Sequence, residues 1–439
     1  LEILKKAGCS VEGMRVKIPY RAVENALKTV PESFKVYDRL GNEAMDLGGM
    51  NSYYGAGPTC PNFFDPRTGE RRQAIKQDAA DAALVGDALP HIDYIMSLCM
   101  VGDTVKGSAD IEEVDAMLRN TTKPIASWAF SAHNLEVIID MCATVAGSHQ
   151  ALQDKPFLIM YSEPTTPLTH GKDALEKVIV MAKNRVPCIY TPGMILGATA
   201  PTTMAGAMSI GIAECLTGLI IHQSISPGAP YIAGCAGSPL DMRTMQPPYG
   251  APENILLHGA SSEIWRKLGI PSFGLAGAPD AKVVDAQAGF ETAMQVFLSG
   301  ACGGNLIHDV GFMDFGLTGS LQQLVFGNEV ISHARRLFEG IDTDDEHLAY
   351  DAICAEGPGG NFFKSKNTRK YCRKEIWISD LTERRPYSQW LADGAKTMAE
   401  VAQDRLLHIL DTHHPEPLPE GILKQLDEIV LCEEERLAK

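Results

Sequence analysis

Between residues 51 and 310 the chain repeats one pattern eight times: a short apolar run, a Gly, Pro or Ser break, and a longer amphipathic stretch. The runs are Asn51–Gly57, Ile92–Met100, Pro124–Phe130, Pro156–Ser162, Val186–Thr191, Pro230–Ala236, Pro271–Ala276 and Asn305–Val310. Most are continuous rather than alternating, as strands buried on both faces of a parallel sheet require. The stretches between them place apolar residues at helical spacing. Arg72–Leu89, Asn134–Val145 and Ala281–Gly300 read as helices, and another opens at Pro252-Glu-Asn254. Asp280 is placed to cap the start of Ala281–Gly300. Strand–helix repeats with right-handed crossovers predict an α/β chain, a (β/α)8 TIM barrel over residues 46–340. An open doubly wound sheet is the alternative.

The flanks differ. Residues 1–45 read as a polar, helical N-terminal segment packed on the bottom or side of the barrel. After Gly340 the strand pattern stops. Asp342–Asp345 is acidic, Glu356-Gly-Pro-Gly-Gly-Asn361 is rich in turn formers, and Lys364–Lys374 is basic. Two helices then run to Lys439. Residues 341–439 are therefore expected to form a C-terminal helical extension on the barrel rather than a domain of their own. With 45% hydrophobic residues in 439, one large core is within reach.

Charge and apolar pattern exclude several classes. A formal net charge of -16 argues against a nucleic-acid partner, which wants a basic face. The most apolar run, Cys215 to Ile221, falls far short of the roughly 18 residues of a membrane span. Eleven Cys without paired spacing fit free thiols in a reducing cytoplasm. The chain opens on Leu-Glu-Ile-Leu-Lys-Lys with no signal-peptide pattern. That start reads as mid-helix, so the native N-terminus is expected upstream.

In a (β/α)8 barrel the chemistry sits at the carboxyl ends of the strands. That rule nominates Tyr53 and Tyr54, Ser131 and His133, Glu163, the turn from Thr191, the long loop Gly237–Tyr249, and His308, Asp309 and Phe312. The long loop carries Asp241, Arg243 and Tyr249 in an apolar, Pro-rich setting. Each candidate also has a plain structural reading, because strand-end Gly and Pro make turns and aromatics fill cores. Cys-x-x-Cys, His-x-Cys and His-Glu-x-x-His are absent, as are Gly-x-Gly-x-x-Gly and the P-loop. No metal and no nucleotide cofactor is therefore expected on this chain.

Several long motifs resemble the trimethylamine:corrinoid methyltransferase family. They are Gly193-Met-Ile-Leu-Gly-Ala-Thr-Ala-Pro-Thr-Thr-Met-Ala-Gly-Ala207, Gly228-Ala-Pro-Tyr-Ile232, Leu240-Asp-Met-Arg-Thr244, Asp280-Ala-Lys-Val-Val-Asp-Ala-Gln-Ala-Gly-Phe-Glu291 and Glu356-Gly-Pro-Gly-Gly-Asn-Phe-Phe363. The resemblance covers nearly the whole chain. It implies transfer of a methyl group from a methylated amine to the Co(I) of a corrinoid on a separate partner protein. Only standard residues occur here, so the resemblance points to the branch without pyrrolysine, some of whose members act on quaternary amines such as glycine betaine. A homo-oligomer is expected as well.

The chemistry is compatible with that implication. A quaternary ammonium already carries its charge, so loss of methyl releases a neutral amine without an acid. The protein must bind the cation, aim one N-methyl and exclude water. Tyr53, Tyr54, Tyr249 and Phe312 are expected to offer aromatic faces, and Glu163 or Asp309 a carboxylate. Arg243, beside Asp241, or His308 is expected to hold a substrate carboxylate. The rival readings are a barrel lyase or aldolase using Glu163 and His308 as an acid–base pair, and an inactive scaffold of the corrinoid pathway.

Overall fold

The computed structural model describes residues 1–438; Lys439, the expected end of the last helix, lies outside the described residues. Seven of the eight apolar runs form strands of one curled parallel sheet: β1 Tyr53–Ala56, β2 Ile125–Ser127, β3 Leu158–Ser162, β4 Cys188–Tyr190, β5 Tyr231–Gly234, β6 Ser272–Leu275 and β7 Leu306–Val310. Their order is β1-β7-β6-β5-β4-β3-β2. The run Ile92–Met100 is not a regular strand. It contributes two isolated parallel bridges, Gly55 to Tyr94 and Ile95 to Ile125, so both edge strands contact the same short segment. Asp93 N donates to Tyr54 O at 2.7 Å and Ile95 N to Pro124 O at 2.9 Å.

Eight long helices follow these units: α1 Lys76–Ala88, α2 Ala109–Asn120, α3 Ala132–Ala146, α4 Lys172–Asn184, α5 Met204–Ile225, α6 Pro252–Lys267, α7 Ala286–Ala301 and α8 Leu321–Glu339. Local chemistry sets their starts. Ser131 accepts from Asn134 N, and Pro252 occupies the first turn of α6, where a missing N–H does no harm. The start of α7 corrects the expectation for Asp280. Asp285 caps that helix, accepting from Gln287 N and Ala288 N, while Asp280 accepts from Tyr249 N in the preceding loop.

Among the described residues, α5 is the one helix with the length and hydropathy of a membrane span. Its buried face carries Glu214, Cys215, His222 and Gln223. Glu214 accepts from Thr166 Oγ1 and Leu168 N, and the Cys215 thiol donates to the carbonyls of Tyr190 and Gly234. Those bonds tie it to the sheet as a core helix.

The inner face of the sheet is packed by Ala126, Ile159, Ile189, Ile232, Phe273, Leu306, Tyr94 and Met96. The amino ends of the strands are plugged by Val36, Met45 and Leu47 of a hairpin formed by Phe34–Tyr37 and Glu43–Leu47. This corrects the expectation of an all-helical N-terminal segment. Only Glu2–Lys6 and Tyr20–Leu27 are helical there, and two antiparallel hairpins make up much of the rest. The outer layer is one continuous cluster that includes Leu4 and Ala26 from the N-terminal segment. It also takes in Leu406, Ile409 and Leu426 from the terminal helices Met398–Thr412 and Glu420–Leu437.

Ile232 is fully buried between the plug and the strand ends. Ile232→Ala is expected to cost about 2–5 kcal/mol of stability, read as a lower urea midpoint with unchanged slope.

Candidate active site at the carboxyl ends of the strands

Side chains of a strand alternate between faces, so the inner positions Ile159 and Ile189 place Tyr161 and Thr191 on the same face, one layer nearer the strand ends. The last strand breaks this rule. The pairing of β7 with β1 shifts register between Ile307 and Val310, and Asp309 adopts a left-handed φ of 79°. Such a conformation costs a non-glycine residue about 1–3 kcal/mol and persists only where the surroundings enforce it. The bulge brings two consecutive side chains, His308 and Asp309, together: His308 Nε2 lies 3.3 Å from Asp309 Oδ1.

Asp309 is buried and its Oδ1 has no hydrogen-bond partner. Burial pushes its carboxyl well above the usual range. Gly57 makes the close approach possible: a Cβ there would sit 2.3 Å from Asp309 Oδ1 and 2.4 Å from the Phe312 ring. The hydroxyls of Tyr94, Tyr161 and Tyr249 and the Cys60 thiol lie near enough for an Asp309 charge to bear on them. Burial raises all four. The Tyr94 hydroxyl and Thr191 Oγ1 are also buried without partners.

The tautomer of His308 follows from its neighbour. Nδ1 lies 2.5 Å from the Gly274 carbonyl, which can only accept, so Nδ1 carries the proton. Burial, against that bond, pulls the imidazole down to about 3. His308 is therefore neutral at ordinary pH and its Nε2 is a bare acceptor facing Asp309. A carboxyl kept protonated by burial can donate to it, though at 3.3 Å the pair is not aligned as a hydrogen bond in this structure. His308 also stacks on Phe273, with centroids 4.0 Å apart. The expectation that it donates to a substrate carboxylate is corrected on this ground.

The structure sorts the remaining candidates. Phe312 is buried against Gly57, and Tyr249 packs near it beside Gly316. Glu163 is exposed and accepts from Tyr161 at 2.5 Å; no hydrogen bond joins it to His308, as an acid–base pair would need. Tyr53 and Tyr54 are placed elsewhere. Tyr53 lies at the amino end of β1, where its hydroxyl accepts from Asp46 N of the plug. Tyr54 points outward and donates to Val296 O of α7. Tyr53 lies at the end of β1 away from the mouth, and Tyr54 lies on its outer face. Asp241 and Arg243 pair with each other, and Arg243 is 89% exposed, so the long loop carries its cation into solvent. That loop begins as a strand, with Gly193–Leu196 and Ala236–Pro239 paired in parallel. Ser131 is a helix cap, and His133 binds Glu433 of the last helix. Thr191 was nominated at the end of its run, whereas Tyr94, Tyr161 and Cys60 were not singled out from sequence. Tyr161 was within reach, two residues beyond an inward Ile at a strand end.

The structure is a curled parallel α/β sheet with a desolvated carboxyl at its strand ends, the place where α/β folds of this kind bind small molecules. A family model described as trimethylamine methyltransferase matches residues 1–437, and the chain belongs to that family. Among curated relatives, it is 30% identical to a trimethylamine methyltransferase MttB of Desulfitobacterium hafniense, over 98% of this chain and 87% of that protein. It is 28% identical to a glycine betaine methyltransferase of the same species, over 98% and 90%. The fold is similar to the crystal structure of the Methanosarcina barkeri monomethylamine methyltransferase, with TM-score 0.50 and 11% identity over 99% of this chain and 86% of that one.

The raised Asp309 fixes a pH dependence. Above the ordinary carboxyl value of about 3.9 and below its own, the folded protein holds a proton that the unfolded chain has released. Stability then falls as pH rises through that window. Asp309→Asn removes this loss. D309N is expected to melt above wild type at neutral pH, with the gain vanishing towards about pH 4. A gain that is the same at both pH values would show that Asp309 is not the titrating group.

Proposed function

We propose that this chain transfers a methyl group from a quaternary, betaine-like amine to the Co(I) of a corrinoid carried by a partner protein. The observation that carries the reading is Asp309: a desolvated carboxyl with a free oxygen that shares the space over Gly57 with the Phe312 ring, with the hydroxyls of Tyr94, Tyr161 and Tyr249 within reach of its charge. A buried unpaired charge is costly, so an ionised Asp309 and a bound ammonium each satisfy the other. Aromatic faces complete the cation's surroundings. The curled sheet is read as a (β/α)8 barrel closed through Tyr94–Ile95, with substrate and acceptor meeting at the carboxyl ends of its strands.

In the reaction the C–N bond breaks and its electron pair stays on nitrogen, so the amine leaves neutral. The methyl carbon bonds to the cobalt, whose electron pair makes the new bond. The chain's own residues bind and orient. Asp309 compensates the ammonium by giving up its proton to solvent on binding, and takes one back from solvent once the neutral amine has left. His308, held by Gly274, packs on Phe273 and keeps its unprotonated Nε2 towards Asp309. A substrate carboxylate meets hydroxyl donors, Tyr94 and Thr191, rather than a cation. The relative named for glycine betaine supports the betaine-like reading; the corrinoid acceptor is what the resemblance of the motifs implies. A cytoplasmic, self-associating protein is part of the same proposal.

The test is anaerobic incubation of the chain with reduced corrinoid protein and a panel of methylated amines, followed by the visible spectrum of the methylated corrinoid. Wild type is expected to methylate the corrinoid with at least one quaternary amine, and D309N to lose at least about 100-fold in kcat/KM, the equivalent of one charge-assisted contact of roughly 3 kcal/mol. No methylation across the panel, or full activity in D309N, would sink the proposal. A second set of measurements addresses the imidazole. Because Nε2 accepts rather than donates, H308A is expected to impair carboxylated and uncarboxylated substrates alike. A loss confined to the carboxylated substrate would show His308 binding that group.

A further inference from the structure

Past α8 the chain runs through residues 341–395 with little apolar cover. The short helices Asp345–Leu348 and Tyr350–Glu356 bury no residue, and Ile341, Tyr350, Ile353 and Phe363 are exposed. A segment with so little core needs another source of order to offset its conformational entropy.

Three donor atoms converge within it. His347 Nε2 lies 3.7 Å from Asp342 Oδ2 and 3.8 Å from Glu375 Oε1, and all three lie within 4.8 Å of one another. These separations are too long for hydrogen bonds. They approach the spacing of donors that share one ion, since bonds of about 2.0–2.2 Å around tetrahedral zinc put neighbouring ligands roughly 3.4 Å apart. The other atoms of two of these groups are already engaged. His347 Nδ1 lies 2.8 Å from Asp344 Oδ1, a carboxylate–imidazole pairing that orients the ring and leaves Nε2 as the ligand. Arg336 Nη2 lies 3.6 Å from Glu375 Oε2, which leaves Oε1 to the centre. The donors come from two segments, 342–347 and the stretch at 375, and line one cavity of about 420 Å³ that Arg336, Lys370 and Lys374 also border, with room for water as a fourth ligand.

We propose that Asp342, His347 and Glu375 form a binding site for a zinc-class divalent cation that cross-links the C-terminal extension. One imidazole with two carboxylates suits zinc better than calcium or magnesium, which take oxygen ligands. The site shares no residue with the mouth of the sheet, so its role is to order the extension. It revises the expectation, drawn from motif spacing, that the chain carries no metal. The three ligands are too irregularly spaced for any motif to reveal.

The experiment uses the full chain with the exposed Cys354, Cys372 and Cys432 replaced by Ser, because free thiols also take zinc. Zinc is titrated against a chromogenic chelator, and trypsin cleavage within residues 341–395 is followed with zinc and with EDTA. One equivalent of bound zinc is expected, with cleavage slowed by the metal. Asp344→Asn should weaken binding about 10–100-fold. His347→Ala and Asp342→Asn should each abolish stoichiometric binding; Asp342 is 71% exposed, so its substitution leaves folding untouched. Failure of wild type to compete with the chelator overturns the proposal, as does binding unchanged in either of those two variants. In that event the cluster is an imidazolium held by carboxylates.

Discussion

The character of the mouth depends on one backbone interruption. In a regular strand His308 and Asp309 would face opposite sides of the sheet, and only one could reach the centre. The slipped pairing of β7 and the left-handed Asp309 put both at the strand ends. Gly57, just past the end of the neighbouring strand, then has to be glycine, because any side chain would collide with Asp309 and Phe312. The strain at one residue, the bare strand opposite and the desolvated carboxyl are one arrangement, and relaxing any part of it would return the carboxyl to solvent.

Electrostatically, the mouth is built to hold little charge of its own. His308 is neutral because its Nδ1 proton is committed to the Gly274 carbonyl and burial opposes a second proton. Asp309 is held towards its neutral form by burial alone. Tyr94 and Thr191 add hydroxyls without partners. Such a pocket disfavours an isolated charge on the protein. It favours a ligand that brings the opposite charge, since the desolvation already imposed on the carboxyl is offset only when a cation arrives.

Elsewhere, the same rules of burial decide the fate of segments whose composition is ambiguous. Helix α5 is apolar enough for a lipid environment, yet Glu214 and Cys215 hydrogen-bond into the loops and strands beneath it. The extension shows the reverse case. Residues 341–395 carry several large apolar side chains that find no core, while the later helices Met398–Thr412 and Glu420–Leu437 bury Ala402, Leu406 and Leu426 in the main cluster.

Seven strands and the helices between them were legible in the sequence, because buried parallel strands and amphipathic helices impose periodicities that local composition cannot hide. The eighth run was legible as apolar but not as irregular, since Ile92–Met100 differs from a strand only in how its neighbours pair with it. The plug hairpin was illegible, being short and polar, with Val36, Met45 and Leu47 meaningful only where the curled sheet leaves a hole. Within the site, Asp309, His308, Tyr249 and Phe312 could be nominated from their place after apolar runs. Tyr53 and Tyr54 were misplaced because a run's sequence does not fix where the strand begins or which of its side chains face inward: Tyr53 starts the strand and Tyr54 points to the outer helix. By itself the sequence determined the elements, their order and the family motifs, since those rest on local spacing. The tertiary structure alone decided that Asp309 is unpartnered, that His308 accepts rather than donates, and that Asp342, His347 and Glu375 meet, because each depends on atoms brought together from distant parts of the chain.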